Sequence, residues 1–296
     1  MRLLIITQAV DSKDPVLGFF VRWVEEIARH CEQVTVICLR KGEYELPKNV
    51  RVFSLGNAGR LPRAYKLLKG AYKFRNNYDA VFVHMNPEYL VVAGWLWRLL
   101  HKRTVLWYMH KSVDLKLHLA EFFANAIVTG SPESFRLPSH KLSVLQHGID
   151  TEFFSPDASV ARGSHWLSVG RLNKSKRHDK AIRMAAQNGK ELRIAGEGPE
   201  RASLEALARE LGASVVFLGG QTQVQLRGEY RAAERFIHTS ETGSLDKVVL
   251  EALACGLPVT TKDPALKFME TKGPEFVRQE HSLSALIPRI LGVLHG

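Results

Sequence analysis

The sequence is poor in cysteine and lacks the common metal and redox motifs. Its three cysteines are Cys31, Cys38 and Cys255, and their spacing suits neither a disulfide framework nor a zinc site. No CxxC or HExxH pattern occurs, and residues 7–10, which follow the first predicted strand, have no GxGxxG motif. These absences disfavour a dinucleotide dehydrogenase and predict reduced core cysteines in a cytoplasmic protein.

Long apolar segments are also missing. The longest one, 89–97, is interrupted by Arg98 and is too short to cross a bilayer. Residues 1–10 have the pattern of a buried strand with an early Arg2, without the apolar core of a signal peptide. We therefore expect neither a membrane span nor a secretory leader.

Positive charge is in excess. The chain has 41 Lys and Arg against 30 Asp and Glu, a formal net charge of +11. Basic residues alternate with aromatic and aliphatic ones at 60–75 and again at 95–103, a mixture that suits an anionic membrane surface. A solvated helix face is the alternative. No helix-turn-helix, zinc-finger, RRM or KH signature accompanies the charge, so nucleic acid is disfavoured as a partner.

Strand and helix patterns alternate along the chain. In the first half, strands are predicted at 3–6, 34–39, 50–54, 80–84, 104–108, 126–129 and 142–145. After a segment rich in Asp, Ser, Pro and Gly, the pattern restarts, with strands at 166–169, 192–195, 214–218, 235–238 and 257–260. The fold class predicted is α/β, with two doubly wound Rossmann-like domains, 1–147 and 164–296, that are joined by a hinge at 148–163 and face one cleft.

One carboxylate stands in an otherwise apolar helix predicted around 248–254. Glu251 would be costly there without a partner. An i,i+4 pair with Lys247 is the structural alternative, but Lys before Glu is the weaker order. Because a helix N-terminus attracts anions, we predict that a phosphate binds the backbone amides of 244–247 while Glu251, one turn deeper, accepts hydrogen bonds from ribose hydroxyls.

Two strand-to-helix turns are predicted to belong to the same site. Arg171 and Lys176 follow the strand that ends at Val169, and a planar guanidinium together with an ammonium suits a diphosphate. A solvated basic loop is the alternative. The next strand ends in a Gly-x-Gly-Pro turn at 196–199, whose glycines would let the backbone approach a flat ligand.

Taken in order, these segments resemble the C-terminal half of the retaining glycosyltransferases of GT-B fold, of the family 4 or group 1 type. The matching sequences are VGRL at 169–172 with Lys176, AGEGP at 195–199, VVFLG at 215–219 and LEALACGLPV at 250–259. The segment 146–156 is similar to the interdomain hinge of that family. The family usually has two glutamates separated by seven residues; the first would fall at 243, where this chain has Gly243, and Glu241 lies two residues earlier.

The resemblance implies transfer of a sugar from a nucleoside diphosphate sugar, without metal, cofactor or protein nucleophile. Arg171 and Lys176 would stabilise the departing diphosphate. His110, which follows a strand of the first domain, is the predicted histidine near the transferred sugar; His84 is the neighbouring candidate, and a capping role is the alternative. The predicted nucleotide-sugar contacts are Gly170, Glu197, Gly198, Ser244, Leu245, Asp246, Lys247 and Glu251.

The sequence thus predicts a cytoplasmic hexosyl- or N-acetylhexosaminyltransferase, peripheral at the inner face of the plasma membrane, with a lipid-linked or cell-envelope glycan as acceptor. Two alternatives stay open. A GT-B-fold nucleotide-sugar epimerase would consume the donor without an acceptor. A basic, non-catalytic protein that binds membrane or nucleic acid would leave Glu251 unexplained.

Overall fold

The computed structural model describes residues 1–241, 243 and 245–296. The chain divides into two compact units, one formed by Met1–Gly148 with Leu283–Gly296 and the other by Ile149–Ser282. Across the residues described, none of the helices combines the length and apolar character needed to traverse a bilayer.

The first unit is built on a parallel seven-stranded sheet in the order β3-β2-β1-β4-β5-β6-β7. The strands are β1 (Arg2–Val10), β2 (Gln33–Lys41), β3 (Val50–Ser54), β4 (Ala80–His84), β5 (Arg103–Trp107), β6 (Ala126–Thr129) and β7 (Leu142–Val144). The strand order reverses between β1 and β4. In an open parallel sheet, ligands bind at such a switch point, beyond the carboxyl ends of the strands.

Helices cover both faces of this sheet. They are α1 (Phe19–Arg29), α2 (Arg60–Lys73), α3 (Glu88–Leu99), α4 (Leu115–Phe123) and, from the end of the chain, α10 (Leu283–His295). Alternate residues of β1 serve the two cores: Leu3 and Ile5 pack with α1 and α10, whereas Leu4 and Ile6 pack with α2, α3 and α4. Both faces are therefore apolar, as expected for a parallel sheet between helical layers.

The C-terminal helix differs from its sequence assignment, which placed all of 164–296 in the second domain. Leu286, Ile287 and Ile290 of α10 are buried in the same core as α1, and Arg103 donates a hydrogen bond to the carbonyl of Val293. An amphipathic pattern identifies a helix that must bury one face. It does not identify the sheet against which that face packs.

The second unit has a five-stranded parallel sheet in the order β10-β9-β8-β11-β12. Its strands are β8 (Trp166–Val169), β9 (Leu192–Ala195), β10 (Val215–Gly219), β11 (Arg235–His238) and β12 (Val259–Thr261). Its helices are α5 (His178–Gln187), α6 (Arg201–Glu210), α7 (Gln223–Ala232), α8 (Lys247–Ala254) and α9 (Pro274–His281). Here the order reverses between β8 and β11, so the carboxyl ends of these two strands form the switch point.

Most of the predicted hinge is built into the second unit. Phe153 and Phe154 are buried in its core, and Arg231 of α7 bonds the carbonyl of Ser155 and the carboxylate of Asp157. The Arg162 guanidinium donates to carbonyls that follow α7 and α8, including Gly256 O at 2.7 Å. These contacts fix residues that the Asp, Ser, Pro and Gly content identified only as a linker.

Candidate active site

Three polar side chains meet at the switch point of the second unit. Lys176 lies in the turn between β8 and α5, and its Nζ is 2.5 Å from Oδ2 of Asp246, the residue before α8. The same oxygen lies 3.1 Å from Nε2 of His238, the last residue of β11. The sequence singled out both Lys176 and Asp246, and the structure brings them together.

The Asp246 carboxylate is held in its ionised form. Burial acts to raise its pKa, but the His238 hydrogen bond and the Lys176 charge outweigh that effect and lower the pKa to about 2. A full negative charge therefore stands beside the Lys176 ammonium at neutral pH. The pair concentrates charge at the edge of the sheet where the sequence predicts a diphosphate.

Arg171, the second predicted phosphate residue, follows β8 and is exposed. Within the part of the chain that the structure describes, its guanidinium has neither an ion-pair partner nor a hydrogen-bond partner. Gly170 precedes it, and its amide donates to Ala195 O of the neighbouring strand at 3.0 Å. An uncommitted guanidinium on a fixed backbone can bind an incoming phosphate through two parallel hydrogen bonds.

The glycines of the 196–199 turn leave room for the backbone of the turn after β8. A Cβ atom at Gly196 would overlap the carbonyl of Gly170, and one at Gly198 would overlap the carbonyl of Leu172. The amide of Leu172 donates to Glu197 O at 2.9 Å, so the two turns are bonded to each other. The sequence predicts that these glycines let the backbone approach a ligand. In the structure they let the turns after β8 and β9 pack closely against each other. The Glu197 side chain points away from the core, with 64% exposure, and its predicted ligand contact, like that of Gly198, stays a prediction.

Glu251 has two partners within the protein. It is 1% exposed, its Oε2 accepts a hydrogen bond from the Tyr230 hydroxyl at 3.0 Å, and its Oε1 is 2.8 Å from Lys247 Nζ. The pair with Lys247, disfavoured from sequence because of its order, is therefore present. Burial and the Glu251 charge together hold the pKa of Tyr230 well above its usual value, so the phenol stays a donor. The ribose contact of Glu251 stays a prediction that must use the remaining lone pairs of the carboxylate.

The loop between β11 and α8 is fastened at several points. The amide of Gly243 donates to Asp263 Oδ2 at 2.6 Å, and the Thr239 hydroxyl donates to Lys176 O at 3.0 Å. The predicted amide contacts of Leu245, Asp246 and Lys247 fall in this loop and at the first residue of α8, while Ser244 lies outside the described residues. The Leu245 side chain packs against the core, which leaves its amide as the group that a ligand can use.

The position of the family's first glutamate has a backbone that suits glycine. Gly243 has a φ of 69°, in the left-handed region that a glutamate enters only with strain. Glu241, the nearby carboxylate, lies 2.5 Å from Lys180 Nζ and 3.9 Å from Arg177 Nη1 at the start of α5. Its charge is thus directed toward α5.

Sequence reasoning missed His178, which lies beneath the Gly170 turn. This histidine is 3% exposed, and its Nδ1 is 3.1 Å from the Ser168 hydroxyl. Burial lowers the pKa of His178 to about 4, so the ring is neutral at physiological pH. His178 directly follows Arg177, a non-glycine residue whose φ of 52° lies in the left-handed region. This unusual backbone conformation marks the position, and the sequence alone does not show it.

The two histidines of the first unit have different settings. His84 is 1% exposed and stacks on Phe20 at 3.9 Å between ring centroids, and burial lowers its pKa to about 3. It is therefore a neutral core side chain. His110 is exposed after β5 and accepts a hydrogen bond from the Ser112 amide at 3.1 Å through Nδ1. A contact between His110 and a sugar stays a prediction.

Among the residues that the structure describes, no cluster of three or more His, Cys, Asp or Glu side chains has a geometry suited to a metal ion.

Residues 157–277 match the family model described as glycosyl transferases group 1. The resemblance predicted from the sequence is confirmed for this segment of the chain. A GDP-mannose-dependent alpha-mannosyltransferase of Mycobacterium tuberculosis is 31% identical over 151 residues, a match that covers 48% of this chain and 37% of the relative. The chain thus spans little more than a third of the length of that curated relative.

Solved structures extend the likeness to the whole chain at the level of the fold. A crystal structure of Anabaena Alr3699/HepE in complex with UDP and glucose superposes with a TM-score of 0.77 at 17% identity, covering 100% of both chains. A UDP-GlcNAc 2-epimerase from Methanocaldococcus jannaschii gives a TM-score of 0.55 at 12% identity, covering 100% of this chain and 93% of that one. The predicted α/β fold class of GT-B type is confirmed.

Proposed function

We propose that this protein is a retaining glycosyltransferase that transfers a hexosyl or N-acetylhexosaminyl group from a nucleoside diphosphate sugar to an acceptor hydroxyl. One observation carries the proposal: Lys176 pairs with Asp246 at the carboxyl edge of the sheet, beside the start of α8, and Arg171 lies in the turn after β8, inside the segment that matches group 1 glycosyl transferases. This is where a parallel sheet binds nucleotides.

In the proposed reaction, the bond between the anomeric carbon and the β-phosphate oxygen breaks, the acceptor oxygen forms a bond to that carbon, and the proton of the acceptor hydroxyl leaves with the diphosphate. Negative charge develops on the departing diphosphate. The Arg171 guanidinium and the Lys176 ammonium stabilise that charge, and the amides of 245–247 add hydrogen bonds. Because the Lys176 ammonium is held by Asp246 before the donor arrives, little reorganisation of that charge opposes the step. No metal ion, cofactor or protein nucleophile takes part in this scheme.

The donor is a nucleoside diphosphate sugar of undetermined base. The mycobacterial relative is named for GDP-mannose, and the Anabaena protein was crystallised with UDP and glucose. Thermal melting with GDP, UDP, GDP-mannose and UDP-glucose tests the proposal, since a ligand that binds the native state raises the melting temperature by mass action. A stabilising diphosphate supports it. The proposal is contradicted if none of the four compounds, at millimolar concentration, raises the melting temperature above that of the ligand-free protein.

The proposed acceptor is a lipid-linked or cell-envelope glycan, reached by a cytoplasmic enzyme attached peripherally to an anionic membrane. The supporting surface is the outer face of α2, which we call the basic-aromatic face. Its exposed side chains are Arg60, Leu61, Tyr65, Lys66, Lys69, Tyr72 and Lys73. Lys69 lies over the Tyr65 ring, so charge and aromatic surface are presented together. Leu67, in contrast, is buried in the core.

An epimerase is the second candidate, because the archaeal UDP-GlcNAc 2-epimerase shares the fold. The two activities differ in what happens to the donor without an acceptor. An epimerase converts the bound nucleotide sugar into its C2 epimer. A transferase leaves the configuration at C2 of the sugar unchanged. Without an acceptor it releases diphosphate only by slow hydrolysis, in which water takes the place of the acceptor. Chromatography of the sugar recovered after incubation separates these outcomes.

A further inference from the structure

The acidic residue at the start of α8 accepts hydrogen bonds from two side chains and none from the described amides of the helix that it precedes. Asp246 is the N-cap of α8, and an aspartate at this position ordinarily accepts a hydrogen bond from an amide in the first turn. In the described part of the chain, the Asp246 side chain makes no such bond. Its Oδ2 accepts from Lys176 at 2.5 Å and from His238 at 3.1 Å. A helix without this cap is less stable, so another role must account for the orientation of Asp246.

The histidine partner is itself fixed. His238 is 4% exposed, and its Nδ1 lies 3.0 Å from the hydroxyl of Thr261, the last residue of β12. That hydroxyl oxygen accepts a hydrogen bond from the Asp263 amide and keeps its own proton to donate to Nδ1. With a proton on Nε2, His238 then donates to Asp246. The hydrogen bonds run in one consistent direction, from Thr261 through His238 to the carboxylate.

We propose that Asp246 is a positioning residue that holds the Lys176 ammonium in place for the departing diphosphate, and that His238 and Thr261 fix Asp246. The inference rests on the proposed function, which gives Lys176 its task. A lysine ammonium on a four-carbon stem samples many positions, and a catalytic charge is effective only when its place is set in advance. Here the backbone of Lys176 is tied to Thr239 and its head to Asp246, so both ends of the side chain are constrained.

Two pairs of variants test this inference. Asp246→Ala removes the acceptor, whereas Asp246→Asn keeps one oxygen toward Lys176. His238→Ala removes the donor, whereas His238→Gln keeps an N–H that can reach Asp246. We expect D246A to lower kcat for release of GDP or UDP from the nucleotide sugar that the wild type uses, on the order of tenfold to a hundredfold, with KM changed less than about threefold. D246N and H238Q should each recover part of the rate lost in the corresponding alanine variant.

A matched control uses another ion pair of the same unit. Lys190 Nζ lies 2.6 Å from Glu234 Oε2, at the amino ends of the strands, so Glu234→Gln should leave kcat unchanged. Melting temperatures show which variants are folded; should D246A fail to fold, the comparison of H238A with H238Q makes the same test.

Three results would overturn the inference. Full kcat in folded D246A and H238A shows that Lys176 needs no positioning. Tighter binding of GDP or UDP by D246N, measured by calorimetry, shows that the carboxylate competes with the ligand instead. A wild type that neither binds nor releases a diphosphate overturns the proposed function and the inference with it, whereas an active wild type with an equally active D246A overturns the inference alone.

Discussion

At the scale of single residues, Glu251 illustrates how a ligand role and a structural role can share one side chain. Its two oxygens already have partners, Tyr230 and Lys247, in a site that is closed to bulk water. Truncating this carboxylate leaves the buried Tyr230 hydroxyl without its acceptor. An unpaired buried hydroxyl lowers the free energy of unfolding by about 1–3 kcal/mol. A loss of nucleotide affinity in Glu251→Ala would therefore be ambiguous.

A paired substitution separates the two roles. Glu251→Gln keeps an oxygen that can accept from Tyr230 but removes the charge, and we expect diphosphate affinity to fall by on the order of tenfold because hydrogen bonds to a charged acceptor are the strong ones. Tyr230→Phe removes the donor and keeps the carboxylate, so it should lower the melting temperature and leave affinity unchanged. Calorimetry beside thermal melting makes the comparison. Equal affinity in wild type and folded E251Q would exclude Glu251 from the donor site.

Arg171 gives a second prediction at this scale. Since the guanidinium is exposed and makes no bond to the described residues, its removal should hardly change stability. We expect Arg171→Ala to lower turnover on the order of a hundredfold, as for loss of one preorganised donor to a developing charge. Arg183→Ala on the exposed side of α5 is the matched control. Turnover that falls equally in both variants would indicate a general effect of charge and place the phosphate elsewhere.

At the scale of elements, the strand-to-helix turns of the second unit are coupled through their backbones. The turns after β8 and β9 lie so close that neither Gly196 nor Gly198 can carry a Cβ without moving a neighbouring carbonyl. The turn after β8 carries Arg171, so the glycines of one turn determine where the functional residue of the next one lies.

A glycine pair tests this coupling. Gly198→Ala should destabilise the protein by about 1–3 kcal/mol, the range for overpacking a close-packed region, and should also lower nucleotide affinity because the turn that bears Arg171 must shift. Gly228→Ala is the matched control: Gly228 lies within α7, and no heavy atom stands within 4 Å of the added methyl group. There we expect a gain of roughly 0.5–1 kcal/mol from helix propensity. Denaturant unfolding measures both values, and a neutral G198A would refute the coupling.

The same elements show how far the sequence could lead. Every predicted strand has a counterpart in the structure, because buried parallel strands are short apolar runs bounded by polar turns. Lys176 and Asp246, which the sequence assigns to one site, pair in the structure, since the carboxyl ends of parallel strands share one edge. The contacts of Arg171 with a ligand stay a prediction. The Tyr230 bond to Glu251 and the packing of Gly198 on Leu172 join residues that are distant in sequence. No local pattern predicts such pairings.

At the scale of the whole molecule, the composition shows an excess of positive charge, and the fold determines where that charge lies. The net charge of +11 includes the basic-aromatic face of α2, whose inner residues Leu67 and Ala71 are core while Leu61 is 84% and Tyr65 64% exposed. Exposed apolar side chains recur on α3 and α4, which lie on the same side of the sheet as α2; they include Trp95, Leu115 and Phe122. The first unit therefore offers both attraction to anionic lipid and side chains that can enter the interfacial layer.

We predict reversible, salt-sensitive binding to anionic vesicles through this face. A basic residue near an anionic surface contributes about 1 kcal/mol, so the double variant Lys69→Glu, Lys73→Glu should bind at least about 30-fold more weakly. The matched control, Arg183→Glu with Arg209→Glu, makes the same change in charge on exposed helix positions of the second unit. Co-sedimentation with anionic and zwitterionic vesicles across a salt series measures binding, and attraction should fade as the Debye length falls below about 10 Å. Equal binding to both kinds of vesicle, or equal loss in both double variants, would refute a membrane-binding face on α2 and favour an acceptor that is not held in a membrane.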